Sequence, residues 1–385
     1  MIKILSIFGT RPEAIKMAPL VKALEAHPEI ESKVCVTAQH REMLDQVLDI
    51  FKITPDYDLD IMKNRQTLSE ITTNALLGLE KVIQEVQPDM VLVHGDTTTT
   101  FVGSLAAFYN KSKVGHVEAG LRTYNKYFPF PEELNRKLTG ALADLHFSPT
   151  ENSKENLLRE GIREEDIFIT GNTAIDALKT TVNKSFSFSD PLLKEMDFGK
   201  KRVIAVTAHR RENLGEPLEN ICKALRHIAE KYEDVEIVYA VHKNPAVREI
   251  AYSILENCPR VHLLEPLDAE EMHNLMDRSY LVLTDSGGLQ EEAPSLGKPV
   301  LVVRNETERP EAIDFGTLKL AGTDKDNIIK LTEELLEDKN QYDKMANAVN
   351  PYGDGFASQR IVDSILYYFG KNAQKPADFK AEKAK

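Results

Sequence analysis

The sequence predicts an α/β protein with two successive parallel-sheet domains, and three observations point that way. Short β-branched runs alternate with amphipathic segments, as in strands joined by crossover helices. The alternation stops in a polar connector at residues 184–199 and then restarts. The chain has 385 residues, more than one ordinary core needs and suited to two or three domains.

The elements can be read off in order. The run IKILSIF at 2–8 is the first strand. A helix follows, with Pro12 in its first turn and Ala14, Met17, Ala18, Val21 and Leu24 at helical spacing. A second strand at 33–37 leads to a helix carrying Leu44, Val47, Leu48 and Phe51. Strands at 90–94, 114–117, 145–147 and 167–169 continue the series. After the connector come strands at 202–207, 236–241, 261–264, 280–284 and 299–303. The domain boundary is expected near Gly171, with a crevice between the two sheets. A final amphipathic helix at 357–369 presents Ile361, Ile365, Leu366, Tyr368 and Phe369 and must dock on something. The tail from Lys371 reads as solvated.

Composition excludes several classes. With 42% hydrophobic and 28% charged residues the chain is globular, and its apolar runs are too short to span a bilayer. The N-terminal run ends at Gly9 without a small-residue cleavage site, so it reads as a buried strand and not as a signal peptide. Three cysteines without a CxxC pattern argue against disulfides and a cysteine zinc site and fit the cytoplasm. A net charge of −13 argues against nucleic acid and anionic membranes as partners. Cations for an anionic ligand must therefore be local.

Ligands of open parallel sheets sit beyond the carboxyl ends of the strands. Here those positions are polar: Gly9-Thr10-Arg11, Gly95-Asp96-Thr97, Glu118-Ala119-Gly120, His209-Arg210-Arg211, His242-Lys243 and Asp285-Ser286-Gly287-Gly288. A strand running into Ser-Gly-Gly and a helix offers close backbone approach and free amides to an anion. Its plain alternative is a helix cap at Asp285 or Ser286. Glu292, a turn and a half further on, is placed to accept ribose hydroxyls. Arg11, Lys16 and the basic run at 209–211 suit a diphosphate, whereas Thr10 with Glu13 also matches a capping box. Asp96, Glu118, Glu132 and Glu133 are the candidate acids and bases. Asp96 and Glu118 follow neighbouring buried runs, and the apolar loop 128–131 is expected to shield Glu132. Against this, Asp96 could cap the next helix, and Glu132 and Glu133 could sit in a first helical turn. The histidines at 94 and 116 read as hydrogen-bonding core residues. No HExxH, Gx[ST]xG, GxGxxG or P-loop pattern is present.

Taken together the segments are far more specific. FGTRPEAIKMAPL (8–20), QHREM (39–43), HGDTTTT (94–100), GHVEAGLRT (115–123), FPEELNR (130–136) and GNT (171–173) lie in the first half. HRRENLG (209–215), TDSGGLQEEAPSLGKPVL (284–301), RPEA (309–312) and NPYGDG (350–355) follow. In this order they closely resemble the non-hydrolysing UDP-N-acetylglucosamine 2-epimerases of bacteria and archaea.

The resemblance implies two Rossmann-like domains of the glycosyltransferase-B type facing a central crevice. The first domain would hold 1–170 plus the C-terminal segment 357–385, and the second 171–356. It also implies a homodimer without cofactor or metal that interconverts UDP-GlcNAc and UDP-ManNAc for surface polysaccharide. UDP is expelled to give 2-acetamidoglucal and then re-added. Asp96, Glu118, Glu132 and His209 map onto the catalytic set, with the face served by each carboxylate left open. Arg11, Lys16, His209, Ser286, Gly287, Gly288, Glu292 and Arg309 map onto the substrate and UDP contacts. A regulatory second UDP-GlcNAc maps onto Gln39, Glu42, Arg65, Glu132, Arg210 and His242, where Glu42 replaces the more usual Gln. A hydrolysing epimerase releasing ManNAc and UDP, a glycosyltransferase of the same fold and, last, a non-catalytic nucleotide-sugar sensor are the alternatives. The carboxylate cluster argues against the transferase.

Overall fold

The computed structural model of the chain describes residues 1–38, 41–61, 66–307 and 309–382, with the backbone alone at 41–43. It divides into two units, the first comprising Met1–Thr180 and Tyr352–Lys380, the second built on Thr181–Pro351. The first carries seven parallel strands: β1 (Ile2–Phe8), β2 (Ile30–Val36), β3 (Tyr57–Asp58), β4 (Met90–His94), β5 (Lys113–Val117), β6 (Leu145–Ser148) and β7 (Ile167–Ile169), in the order β3-β2-β1-β4-β5-β6-β7. The second carries six: β8 (Arg202–Thr207), β9 (Val235–Ala240), β10 (Val261–Leu264), β11 (Leu281–Thr284), β12 (Val300–Val302) and β13 (Leu318–Leu320), in the order β10-β9-β8-β11-β12-β13. Each is a Rossmann-like sheet whose order reverses once, between β1 and β4 and between β8 and β11. At such a reversal the loops leaving adjacent strands diverge and open a site over the strand ends.

The strands read as continuous apolar runs because both faces are covered. On one face of the first sheet, Met17, Val21 and Leu24 of helix Arg11–Glu25 pack with Leu44, Val47 and Phe51 of helix Arg41–Phe51. On the other, helices Leu68–Val86 and Thr98–Tyr109 contribute Leu79, Val82, Ile83 and Val102. Each fully buried large side chain of this kind contributes about 1.5–3 kcal/mol. The second unit has its own core, from Ile204 and Val206 to Leu335. Cys35 and Cys222 lie in these cores, where burial pushes both thiols up to about 12.

The last helix, Ala357–Tyr368, belongs to the first unit. Ile361, Val362, Ile365 and Leu366 join the cluster that contains Met17 and Leu24. Its first amides are satisfied by Asp176, whose carboxylate accepts from Ala357 N (3.1 Å) and Ser358 N (2.7 Å). Burial raises the Asp176 pKa, opposed by these hydrogen bonds.

The structure departs from the expected outline in five respects. The division falls at Thr180, not near Gly171, because helix Thr173–Thr181 supplies Asp176 and Ala177 to the first unit. Likewise the chain rejoins that unit at Tyr352, ahead of 357, where Tyr352 O accepts from Asn172 N. The tail is not simply solvated: Phe379 is buried, its amide donates to Ile169 O (2.7 Å), and Asp378 Oδ1 accepts from Ile169 N (3.0 Å). Those bonds cover the free edge of β7. The edge strands β3 and β13 were unforeseen, and the connector holds a short helix, Pro191–Glu195, capped by Asp190. No helix of the described residues is long and apolar enough to cross a membrane.

Candidate functional site

In the first unit the groups gather over the reversal between β1 and β4. The turn after β1 needs glycine at position 9, since a Cβ there would stand 2.0 Å from Thr37 Oγ1 and 2.8 Å from Thr99 Oγ1. Glu13 fixes this turn. Its Oε2 accepts from the amides of Gly9 (3.1 Å) and Thr10 (2.8 Å), and its Oε1 accepts from the hydroxyls of Thr97 (2.8 Å) and Thr100 (3.3 Å). The capping box is therefore real, but the same carboxylate also ties the loop after β1 to the loop after β4. Burial raises its pKa, and the hydrogen bonds oppose the shift. Arg11, half-buried, opens the helix at this turn.

The three proposed acid–base carboxylates have unlike surroundings. Asp96 does not cap the following helix, because Thr97 does so by accepting from Thr100 N. Instead Asp96 Oδ2 accepts from Arg136 Nε (3.0 Å) and Nη2 (2.7 Å), and its carbonyl accepts from Asn135 Nδ2 (2.9 Å). Burial disfavours the Arg136 charge, but Asp96 and Glu133 outweigh it and raise the pKa. Glu118 has a left-handed backbone (φ 62°) and forms an ion pair with Lys16. Its Oε2 also accepts from Asn172 Nδ2 (2.9 Å) and lies 3.8 Å from His94 Nε2. The β4–β5 pairing brings Glu118 beside the Gly95-Asp96 turn, with Oε1 3.5 Å from where a Gly95 Cβ would stand.

Glu132 and Glu133 separate cleanly. Glu133 is fully buried and accepts from the amides of Thr123 (3.0 Å) and Tyr124 (2.9 Å) and from Arg136 Nη1 (3.2 Å). It holds the loop after β5. Glu132 is half-buried, and its Oε2 is enclosed without a hydrogen-bond partner among the described residues. A buried acceptor of this kind calls for a donor from a ligand or water. Phe128 and Phe130, on the apolar loop before Glu132, are 52% and 62% exposed.

His94 and His116 behave as buried neutral residues. Burial lowers them to about 4 and about 3 respectively. His116 donates through Nε2 to the Gly95 carbonyl at 2.7 Å, since a carbonyl can only accept. The imidazole thereby braces the backbone next to Asp96.

In the second unit the loops after β8 and β11 are locked by Asp285, which is fully buried. Its Oδ2 accepts from the amides of His209 (2.7 Å) and Arg210 (2.7 Å) and from Asn213 Nδ2 (3.0 Å), with His209 Nδ1 3.7 Å from Oδ1. The His209 ring stacks on His242 at 5.0 Å between centroids and 14° between planes. Ser286 occupies the cap position without a side-chain cap bond, while its amide donates to Thr284 Oγ1 (2.9 Å). The Arg309 guanidinium lies against Gly287, where a Cβ would come within 2.7–2.9 Å of its Cζ and terminal nitrogens. Glu291 accepts from Arg309 Nε (2.7 Å) and aims it there. Glu292 Oε2 is 3.3 Å from His273 Nε2.

Thus Asp96, Glu118 and Lys16 come together in one unit, with Arg11 on the adjoining turn and Glu132 on the helix that supplies Arg136. In the other, His209, Ser286, Gly287, Gly288, Glu292 and Arg309 share the ends of β8 and β11, with Arg210 and His242 beside His209. Gln39 and Arg65 lie outside the described residues, as does the Glu42 side chain. Among the described residues no group of three or more His, Cys, Asp or Glu is gathered for a metal ion. Sequence reasoning missed the supporting residues Arg136, Glu291 and His273, and read Glu13 only as the partner in a capping box.

The chain is similar to known proteins over nearly its whole length. The family model described as UDP-N-acetylglucosamine 2-epimerase matches residues 22–366. A UDP-N-acetylglucosamine 2-epimerase of Bacillus subtilis is 60% identical over 378 residues, covering 98% of each chain. Among solved structures, UDP-GlcNAc 2-epimerase from Neisseria meningitidis bound to UDP-GlcNAc is 52% identical (TM-score 0.87; 95% of this chain, 100% of that one). The Methanocaldococcus jannaschii UDP-GlcNAc 2-epimerase, in complex with UDP-GlcNAc and UDP, is 35% identical (TM-score 0.78; 95% and 100%).

Proposed function

The chain belongs to the UDP-N-acetylglucosamine 2-epimerase family, and on that premise we propose that it interconverts UDP-GlcNAc and UDP-ManNAc by eliminating and re-adding UDP. The observation that carries the mechanism is the set of carboxylates in unlike settings: Asp96 on Arg136, Glu118 on Lys16 and Asn172, and Glu132 with a buried bare oxygen. The C2 hydrogen of the sugar is not next to a carbonyl, so a base cannot remove it alone. If the C1–O bond breaks as the proton leaves, the C–H electron pair becomes the C1=C2 bond of 2-acetamidoglucal, and UDP departs with the C1–O pair. Return on the opposite face needs a second proton-handling group, and this set supplies both. Arg11, His209, Ser286 and the amides of Gly287 and Gly288 meet the charge that develops on the diphosphate. Lys16 lies near the reacting groups, Glu292 takes the ribose hydroxyls, and Arg309 lines the site.

The test is isotopic. In D₂O the UDP-ManNAc formed should carry deuterium at C2, with traces of free UDP and glycal where the intermediate escapes. Product whose C2 hydrogen remains wholly protium, with no glycal, would defeat the mechanism.

The same reading includes a homodimer in the cytoplasm that feeds surface-polysaccharide synthesis. It also includes a second, activating UDP-GlcNAc held by Gln39, Glu42, Arg65, Glu132, Arg210 and His242. Initial rates should then rise sigmoidally with UDP-GlcNAc and lose that curvature in His242→Ala. Hyperbolic kinetics indifferent to the change would remove the second site.

A further inference from the structure

His273 is buried on helix Ala269–Arg278, and the proposed chemistry gives it no role. Both of its ring nitrogens are engaged. Nε2 faces Glu292 Oε2 at 3.3 Å, and Nδ1 lies 2.7 Å from Thr181 Oγ1. An ionised carboxylate can only accept, so Nε2 carries the hydrogen, and Nδ1 accepts the Thr181 hydroxyl. The next residue, Asn274, holds the backbone on either side of that hydroxyl's residue: its Nδ2 donates to Thr181 O (2.7 Å) and its Oδ1 accepts from Asn183 N (2.9 Å). The far end of the chain is equally placed, since Glu292 Oε1 stands 3.5 Å from where a Gly288 Cβ would be. The imidazole beside one oxygen of Glu292 restricts where that buried carboxylate can swing over the Ser286–Gly288 turn.

We infer that His273 is a positioning residue that fixes Glu292 for a nucleoside diphosphate bearing both ribose hydroxyls, making the second unit selective for ribo- over 2′-deoxyribonucleotides. The inference rests on the reading of Glu292 as the ribose contact. A site built to hydrogen-bond a hydroxyl rejects a ligand lacking it only while its own acceptor is held in place.

The experiment is calorimetric titration of the whole protein with UDP and with 2′-deoxy-UDP, read as the ratio of the two dissociation constants. The wild type should favour UDP by about tenfold or more, the worth of one good hydrogen bond. Glu292→Met, which removes the acceptor, should bring the ratio close to one. His273→Leu should bring most of that fall, while His273→Gln, which keeps a side-chain N–H donor, should retain the preference. A loss of folding stability alone would not move this ratio. If His273→Leu keeps the wild-type ratio while Glu292→Met loses it, the positioning role is wrong and the ribose contact stands. If the wild type shows no preference, or Glu292→Met keeps it, the ribose contact fails and the inference falls with it. Should His273→Leu not fold, Thr181→Val, of nearly equal volume, makes the same test: a reduced ratio supports the chain of bonds and an unchanged one overturns it.

Discussion

Turnover is expected to fall about 10²- to 10⁴-fold in each of Asp96→Asn, Glu118→Gln and Glu132→Gln, the usual cost of losing one general acid or base. That corresponds to about 3–5 kcal/mol of barrier. The substitutions keep shape and remove only the ability to hold or move a proton. UDP affinity should barely change, because most of the proposed nucleotide contacts, among them His209, Ser286, Gly287, Gly288 and Glu292, belong to the other unit. Glu133→Gln makes the informative contrast. Glu133 is buried on two amides and Arg136, so its loss should appear mainly in folding, by about 3–5 kcal/mol for a broken buried pair. Steady-state rates beside urea unfolding of the four variants separate the two outcomes. Near-normal rates in Asp96→Asn, Glu118→Gln and Glu132→Gln would reject the acid–base assignment.

Acid should loosen the first unit through its buried imidazoles. Burial lowers His116 to about 3 and both His94 and His146 to about 4, from an ordinary value of 6.5. In the folded chain they stay neutral at pH values where the unfolded chain takes up protons. The stability they confer is complete above pH 6.5 and is lost progressively as pH falls toward their folded values. One such group contributes a slope of about 1.4 kcal/mol per pH unit. Glu13 and Asp176, whose pKa burial raises, work in the opposite sense, so the effect is best read by difference. His116→Gln should flatten the dependence of unfolding free energy on pH by about 1.4 kcal/mol per unit between about pH 6 and pH 4.5. An unchanged slope would show that His116 is already protonated in the fold.

The central strands were legible because burial on both faces demands apolar runs, as at Met90–His94 and Arg202–Thr207. Tyr57–Asp58 and Leu318–Leu320 were not, being two- and three-residue edge strands that are only partly buried. The seat of the tail was hidden because its bonds at Ile169 come from a backbone amide and one aspartate, which leave no periodic trace. The candidate carboxylates could be found by their place at strand ends. Their partners could not, since Arg136 reaches Asp96 across 40 residues, Asn172 reaches Glu118 across 54, and His273 meets Thr181 across 92. Glu132 and Glu133 are adjacent in sequence, and only burial and hydrogen bonding in the fold distinguish them.

The return of the last helix to the first unit bears on how the chain acquires its structure during synthesis. When residue 180 has left the ribosome, the face of helix Arg11–Glu25 that receives Ile361, Val362, Ile365 and Leu366 is still open to water. The Asp176 carboxylate meanwhile waits for the amides of Ala357 and Ser358. All of residues Thr181–Pro351 must be translated first, which takes about 10–30 seconds at ordinary elongation rates. During that interval the nascent N-terminal sheet carries an uncovered apolar strip, of the kind chaperones hold. The middle unit, continuous in sequence, can close at once. In order of translation the first unit begun is therefore the last completed, and a nascent chain halted before residue 357 leaves it unfinished.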